Sequence, residues 1–185
     1  METGSLQLVP ITPAMQPAFM ELLQDYTQSG PDRYDDDLLA AQNDFTAYVR
    51  RLEDESQGVN LAPGHVAQST YWLQDTAGNL LGGIRLRHTL TPLLAREGGH
   101  IGYDIRPSMR QRGYGTSQLA LLLPFARERG LDHVLVTCKR DNSASARIIE
   151  KNGGLFENEV LSWRFPDTWF RRYWITLLDI TEAHP

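Results

Sequence analysis

One cysteine, Cys138, stands in a chain of 185 residues. A single thiol cannot close an internal bridge, so a disulfide-framed secreted module and a multi-cysteine zinc domain are both excluded. Lysine is nearly absent too, with only Lys139 and Lys151, and the formal net charge is -5. Broad nucleic-acid binding needs a basic stripe to displace counterions from phosphates, and this acidic balance argues against it. No apolar run approaches the ~20 residues that a bilayer crossing takes; the longest, 119–126, contains Pro124. Residues 1–5 lack the basic-then-apolar plan of a secretory signal. No fixed-period repeat and no low-complexity block is present. What these absences leave is one cytoplasmic globular domain over 1–185, with no nucleic-acid partner, no membrane and no metal. A chain of this length buries about 70% of its unfolded surface and needs no staple.

The first third reads as helical. Ala18, Phe19, Leu22, Leu23 and Tyr26 recur at helical spacing, with Pro13 and Pro17 near the start, where a missing N–H costs little. Asp35, Asp36 and Asp37 precede apolar residues, as suits a helix start, and Phe45, Tyr48, Val49 and Leu52 continue a helical face. This N-terminal helical region covers 12–57. From residue 68 the period changes to two. Residues 69–73 and 80–88 flank a turn at 75–79 and read as a hairpin, with Ile84, Leu86 and His88 on one side and Arg85 and Arg87 on the other.

A strand over 99–105 stops at Pro107, and a helix follows over 113–129, with Leu119, Leu122, Leu123 and Ala126 as its apolar face. Pro124 should bend that helix. Residues 134–138 read as a strand covered on both faces. Asp141, Asn142 and Ser143 cap a helix over 144–152, and the segments 155–163 and 169–178 alternate as a closing hairpin. The order predicts an α/β (α+β) fold: a mixed, mostly antiparallel central sheet flanked by helices, with its core over 99–153 and its last hairpin over 155–178.

The chemistry is concentrated in 105–116, which leads a strand through a loop into a helix start. Backbone N–H groups of such a loop and of the helix's first turn converge and lack partners, and an anion satisfies them. Gly113 and Gly115 let the backbone approach a phosphate closely, the helix dipole adds about half a positive charge, and Arg110 and Arg112 add more. Two commoner phosphate loops do not fit. Gln118 stands where a dinucleotide fingerprint needs its third glycine, and no Gly-Lys-Ser/Thr occurs anywhere in the chain.

Pro107, Arg110, Gly113 and Gly115 reproduce the Arg/Gln, two residues, Gly, any residue, Gly/Ala signature of the GNAT N-acetyltransferase superfamily, which the chain resembles over nearly its whole length. The resemblance continues through the helix, the apolar strand and the Asn142-led helix at 141–153. Arg85-Leu86-Arg87-His88, 98–103 and 172–175 also resemble a bacterial branch of predicted acetyltransferases.

The resemblance implies a GNAT-like acyl-CoA N-acyltransferase fold and direct acetyl transfer from acetyl-CoA to a small or peptide amine, both bound together. The pyrophosphate would sit on the amides of Gln111, Arg112, Gly113, Tyr114, Gly115 and Thr116. The pantetheine arm would pair with the free edge at Tyr103, Asp104 and Ile105, and the Asn142 side chain would reach the coenzyme. An extended amide-bearing arm can satisfy such an edge as an added strand, and an N–H beside the thioester can stabilise its oxyanion. His100 stands where many relatives carry a glutamate base, and imidazole can accept a proton near neutral pH. Ile149 stands where many carry a tyrosine acid, which leaves the acid unassigned. A coenzyme-binding sensor or assembly module without transfer is the rival reading, and a bulkier acyl group or a hydroxyl acceptor is a third. Family habit also implies a homodimer through the C-terminal hairpin edge.

Several residues read as structural. Cys138 fits a buried strand thiol. His65 and His133 lack ligand spacing. His88 reads as a hairpin residue, and Trp163, Trp169 and Trp174 as core or interface. Asp35, Asp36 and Asp37 can attract a cationic acceptor or stand as a solvated helix start.

Overall fold

The alternating segments 68–74 and 80–87 form the central hairpin that the pattern predicts, and the rest of the sheet grows from its two edges. The computed structural model describes residues 5–29 and 41–177. Its strands are β1 (Gln7–Val9), β2 (Gln68–Gln74), β3 (Leu80–Arg87), β4 (Ile101–Tyr103), β5 (His133–Lys139), β6 (Leu155–Leu161) and β7 (Trp169–Thr176). They lie in one sheet in the order β1-β2-β3-β4-β5-β7-β6. Only β4 and β5 run parallel; every other neighbouring pair is antiparallel.

Helices cover both faces. On one, α1 (Gln16–Gln28) and α2 (Phe45–Gln57) bury Phe19, Leu22, Leu23, Phe45 and Tyr48 against Trp72 and Leu80. On the other, α3 (Tyr114–Glu128) and α4 (Ser143–Lys151) bury Leu119, Leu122, Ala146 and Ile149 against Ile84, Leu86, Ile101, Val134 and Val136. Each such fully buried aliphatic side chain contributes about 1.5–3 kcal/mol.

The differences from the sequence reading are local. A short edge strand, β1, precedes the helical region, where the sequence reading assigned no element, because three residues are too few to show a period. The Asp44 side chain accepts the Ala47 N–H at 2.9 Å, so α2 starts there as a separate helix. Asp35, Asp36 and Asp37 lie outside the described residues. A π-turn at Leu94–Gly98 occupies the connection before β4 and buries Glu97. α3 runs through Pro124 as one helix. Trp163 and Trp169 stand exposed on the closing hairpin. No helix among the described residues is long and apolar enough to cross a membrane.

β4 and β5 share a single bridge, Ile101 with Val136, and then part. Beyond it the chain still follows β3, with Asp104 N–H on Gly83 O at 3.0 Å and Arg106 N–H on Leu81 O at 2.9 Å. Gly82 permits this approach, since a Cβ there would collide with the Asp104 carbonyl. β5 meanwhile stays paired to β7 along its whole length.

Candidate active site

A cleft of about 1000 Å³ opens where β4 leaves β5, walled by the end of β4, the loop before α3, the end of β5 and α4. Hydrogen bonding in an antiparallel ladder alternates, so with Gly102, Asp104 and Arg106 turned to β3, the peptide groups of Tyr103 and Ile105 face the cleft. The Ile105 carbonyl accepts Arg110 Nε at 3.0 Å.

The loop ends in a ring of amides. Gln111 (φ 61°) and Gly113 (φ 85°) are both left-handed, which turns successive N–H groups to one side. No side chain caps α3. Gly113 O takes the N–H groups of Thr116 and Ser117 at 3.0 and 3.2 Å, while those of Tyr114 and Gly115 find no acceptor among the described residues. Gly115 also brings α3 close to α4, since a Cβ there would stand 2.7 Å from Ile148 Cδ1. The loop is held from behind by α1: Asp25 pairs with Arg106 Nε at 2.6 Å and accepts from Ser108. Burial opposes the charge on Asp25, but the bonds from Ser108 and Arg106 outweigh it and hold the carboxyl below its usual range.

Arg110, Lys139, Arg147 and Lys151 line the cleft against Asp104 and Asp141, so the acidic chain presents local positive charge there. Sequence reasoning missed Lys139, Arg147 and Lys151. Arg147 and Lys151 are four apart on α4, a spacing that puts two cations on one face and was there to be read. Arg112, expected at the site, lies outside the lining. Asn142 lines the cleft but spends Oδ1 as the N-cap of α4, accepting Ser145 N–H at 3.0 Å, which leaves its amide N–H groups for a guest.

Two hydroxyls flank the end of β4 on opposite faces. Tyr26 of α1 donates to the Asp104 carboxylate, and burial followed by the charge of Asp104 raises its pKa. Tyr103 shares a 2.8 Å bond with Ser145 Oγ at the start of α4; burial pushes its pKa up to about 12 against that bond. Cys138 is buried, with its thiol pushed up to about 11 by burial, and so is no nucleophile near neutral pH.

His100 is not brought to the cleft. Its Nδ1 accepts the Leu135 N–H at 2.9 Å, its own N–H bonds Leu135 O at 2.7 Å, and the residue is buried. A neutral imidazole has one acceptor nitrogen, and here it is taken, so Nε2 carries the proton. Burial, then Arg87 and His133, lower the pKa to about 4. The ring expected to serve as a base thus clasps β4 to β5 just before they part. Ile149 is fully buried in the core. His88 bonds Ser69 Oγ at 3.0 Å and approaches Arg129 at 3.5 Å, past the far end of α3.

Known structures share this architecture. The Salmonella typhimurium acetyl transferase that modifies the N-terminal serine of ribosomal protein L7/L12 superposes with a TM-score of 0.65 at 17% identity, over 95% of this chain and 96% of its own. The yncA structure from the same organism, with its cofactor acetyl-CoA, gives 0.64 at 14% identity over 97% of each chain. The spermidine N-acetyltransferase of Vibrio cholerae, in complex with CoA and spermine, gives 0.62 at 15% over 93% and 95%. At these identities the likeness is one of fold. No curated protein matches the chain. The profile of the acetyltransferase (GNAT) domain does match, over residues 5–154, and with that span of the chain covered, including the parted strands and the amide loop, the protein belongs to the GNAT acetyltransferase family.

Proposed function

We propose that the protein is an acetyl-CoA-dependent N-acetyltransferase acting on a primary amine held beside the coenzyme. The observation that carries this reading is the juxtaposition of a strand edge that turns the peptides of Tyr103 and Ile105 to the cleft, with Arg110 on the Ile105 carbonyl, and an uncapped helix start among cations. The edge suits the amides of a pantetheine arm, and the ring of N–H groups with Arg110, Arg147 and Lys151 suits a polyphosphate. Asn142 can donate to the arm from the opposite wall. Bound there, acetyl-CoA supplies an acetyl group activated as a thioester.

The chain's own part is to orient the amine and move protons. An ammonium cannot attack a thioester, so its proton must leave first; Asp104, fixed by Tyr26 on the cleft side, is the acceptor for it. The amine nitrogen then forms the new C–N bond as the C–S bond breaks; the thiolate leaves with the electron pair and takes up the second proton that the nitrogen sheds, giving the amide and CoA. Tyr103 stays protonated near neutral pH and can donate a hydrogen bond to that sulfur, backed by Ser145. A buried lone thiol fits a reducing cytoplasm. Leu155, Phe156, Leu161, Trp163 and Trp169, exposed along the edge strand and its turn, suit pairing with a second copy.

Thiol release from acetyl-CoA across a panel of amines tests the reading. Amine-dependent release supports it. Coenzyme binding with no release for any amine favours a sensor or assembly module instead.

A further inference from the structure

The chain carries sixteen arginines and only two lysines, Lys139 and Lys151, and both lysines line the cleft. They stand at opposite ends of it. Lys139 ends β5 at the head of α4, where the Asn142 N–H bonds its carbonyl at 2.9 Å. Lys151 is the last residue of α4, and its neighbour Asn152 donates to Thr116 O at 3.2 Å, beside the amide loop. From Ser143 to Lys151 the helix axis advances ~12 Å. On the transfer reading above, the phosphates of the coenzyme lie at the Lys151 end. The thioester lies by Tyr103, whose hydroxyl meets Ser145 in the first turn of α4, at the Lys139 end.

The register fixes the face on which Lys139 stands. Ile101 and Val136 are bridged in parallel, and both turn into the core under α3 and α4. Side chains alternate along a strand, so Asp104 and Lys139, each three residues further on, stand level with one another on the opposite face. Tyr26 of α1 meets Asp104 there. The strands have parted at that level, and the Lys139 ammonium and the Asp104 carboxylate border the opening from its two sides. Paired strands are about 4.8 Å apart, a gap that the flexible lysine stem can reach across, and parting leaves space between them for an acetyl group. Lys139 is exposed and pairs with no carboxylate among the described residues.

We infer that the protein acetylates its own Lys139 when acetyl-CoA is bound and no acceptor is present, an activity that rests on the transfer reading. A tethered amine stands at a roughly millimolar effective concentration, so it reacts whenever the loaded cleft holds no other amine. The Lys139 ammonium gives one proton to Asp104. Its neutral Nζ forms the C–N bond as the C–S bond breaks, and the thiolate leaves with the electron pair and takes up the second proton. The products are an acetyl-lysine side chain and CoA. That side chain is uncharged and fills the place of the acceptor amine, so the modified chain turns over more slowly. Arginine at the other cationic positions offers no competing target, because a guanidinium stays protonated.

The test incubates wild type with saturating acetyl-CoA and no amine, and maps acetylation by peptide mass spectrometry. Lys139 should be labelled about a hundredfold faster than Lys151, since only Lys139 is placed at the thioester. In protein unfolded with urea the two lysines should react about equally. Asp104→Asn should slow labelling of Lys139 by about 100-fold or more. After the incubation, wild type should lose amine-dependent thiol release in proportion to the acetylated fraction, whereas Lys139→Arg, compared with its own rate before incubation, should lose none. Lys139 left unmodified, labelled no faster than Lys151 in the folded protein, or labelled at an unchanged rate in Asp104→Asn overturns the inference. Thiol release across the amine panel, measured on the same samples, separates the two readings. Release with Lys139 unmodified overturns the inference and leaves the transfer reading standing; neither release nor labelling overturns both.

Discussion

On the proposed reading the cleft has two halves of different construction, one for the coenzyme and one for the acceptor. The coenzyme half, beside β5, α3 and α4, is made largely of backbone: a free strand edge, left-handed turns at Gln111 and Gly113, and amides that the helix leaves over. The acceptor half, beside α1, is made of side chains: the Asp104 carboxylate and the Tyr26 hydroxyl that donates to it. Backbone geometry serves one guest across many sequences, because few residue types can adopt it. Side chains can be exchanged singly, so the acceptor half is where a fold shared at 14–17% identity can diverge in substrate.

Substitutions can break this contrast, and the largest effect belongs to Asp104→Asn. It removes the proton acceptor and should lower kcat by about 100- to 10,000-fold while acetyl-CoA affinity holds; stopped-flow rates with calorimetry check both. An unchanged kcat would show that the acceptor half has no base there. Next comes Arg147→Glu with Lys151→Glu. Reversing two cations of the coenzyme half should raise KM for acetyl-CoA by about ten- to a hundredfold and leave KM for the amine alone. A shared rise in both constants would blur the division between the halves.

His100→Ala acts on the clasp that precedes both. It leaves the Leu135 N–H buried without an acceptor and should cost about 1–3 kcal/mol in denaturant titrations. The pH profile of kcat should not change. Stability should, with a definite sign: the folded pKa of about 4 lies below the ordinary value of 6.5, so the unfolded chain binds the proton first as pH falls. The His100 contribution is therefore complete above pH 6.5 and is lost on the way down to about 4. The variant should flatten that part of the curve. The smallest effect is that of Arg112→Ala, an exposed guanidinium outside the cleft, at about 0–1 kcal/mol in acetyl-CoA binding.

The two halves also differ in how far they could be read from residues alone. Period-two alternation, Pro107 and the Gly113–Gly115 spacing are local signals, and they place the strand, the loop and the helix start within a residue or two. Whether a side chain faces a cleft depends on tertiary contacts that no local pattern encodes. Arg106 illustrates this: it stands in the same loop as Arg110 and Arg112, yet it turns to Asp25, eighty-one residues earlier, and braces the loop. His100 shows it again, since its ring is spent on Leu135, thirty-five residues later. The short strand β1 and the π-turn at Leu94–Gly98 left too few residues to display a period.

The central claim is that a parted strand edge and an uncapped helix start together hold acetyl-CoA. Amide hydrogen exchange, measured with and without saturating acetyl-CoA, tests it most directly. The account predicts slowed exchange at Tyr103, Ile105 and the loop amides from Gln111 to Thr116, with β2 and β6 unaffected. Exchange unchanged at those amides when the coenzyme is saturating would contradict it.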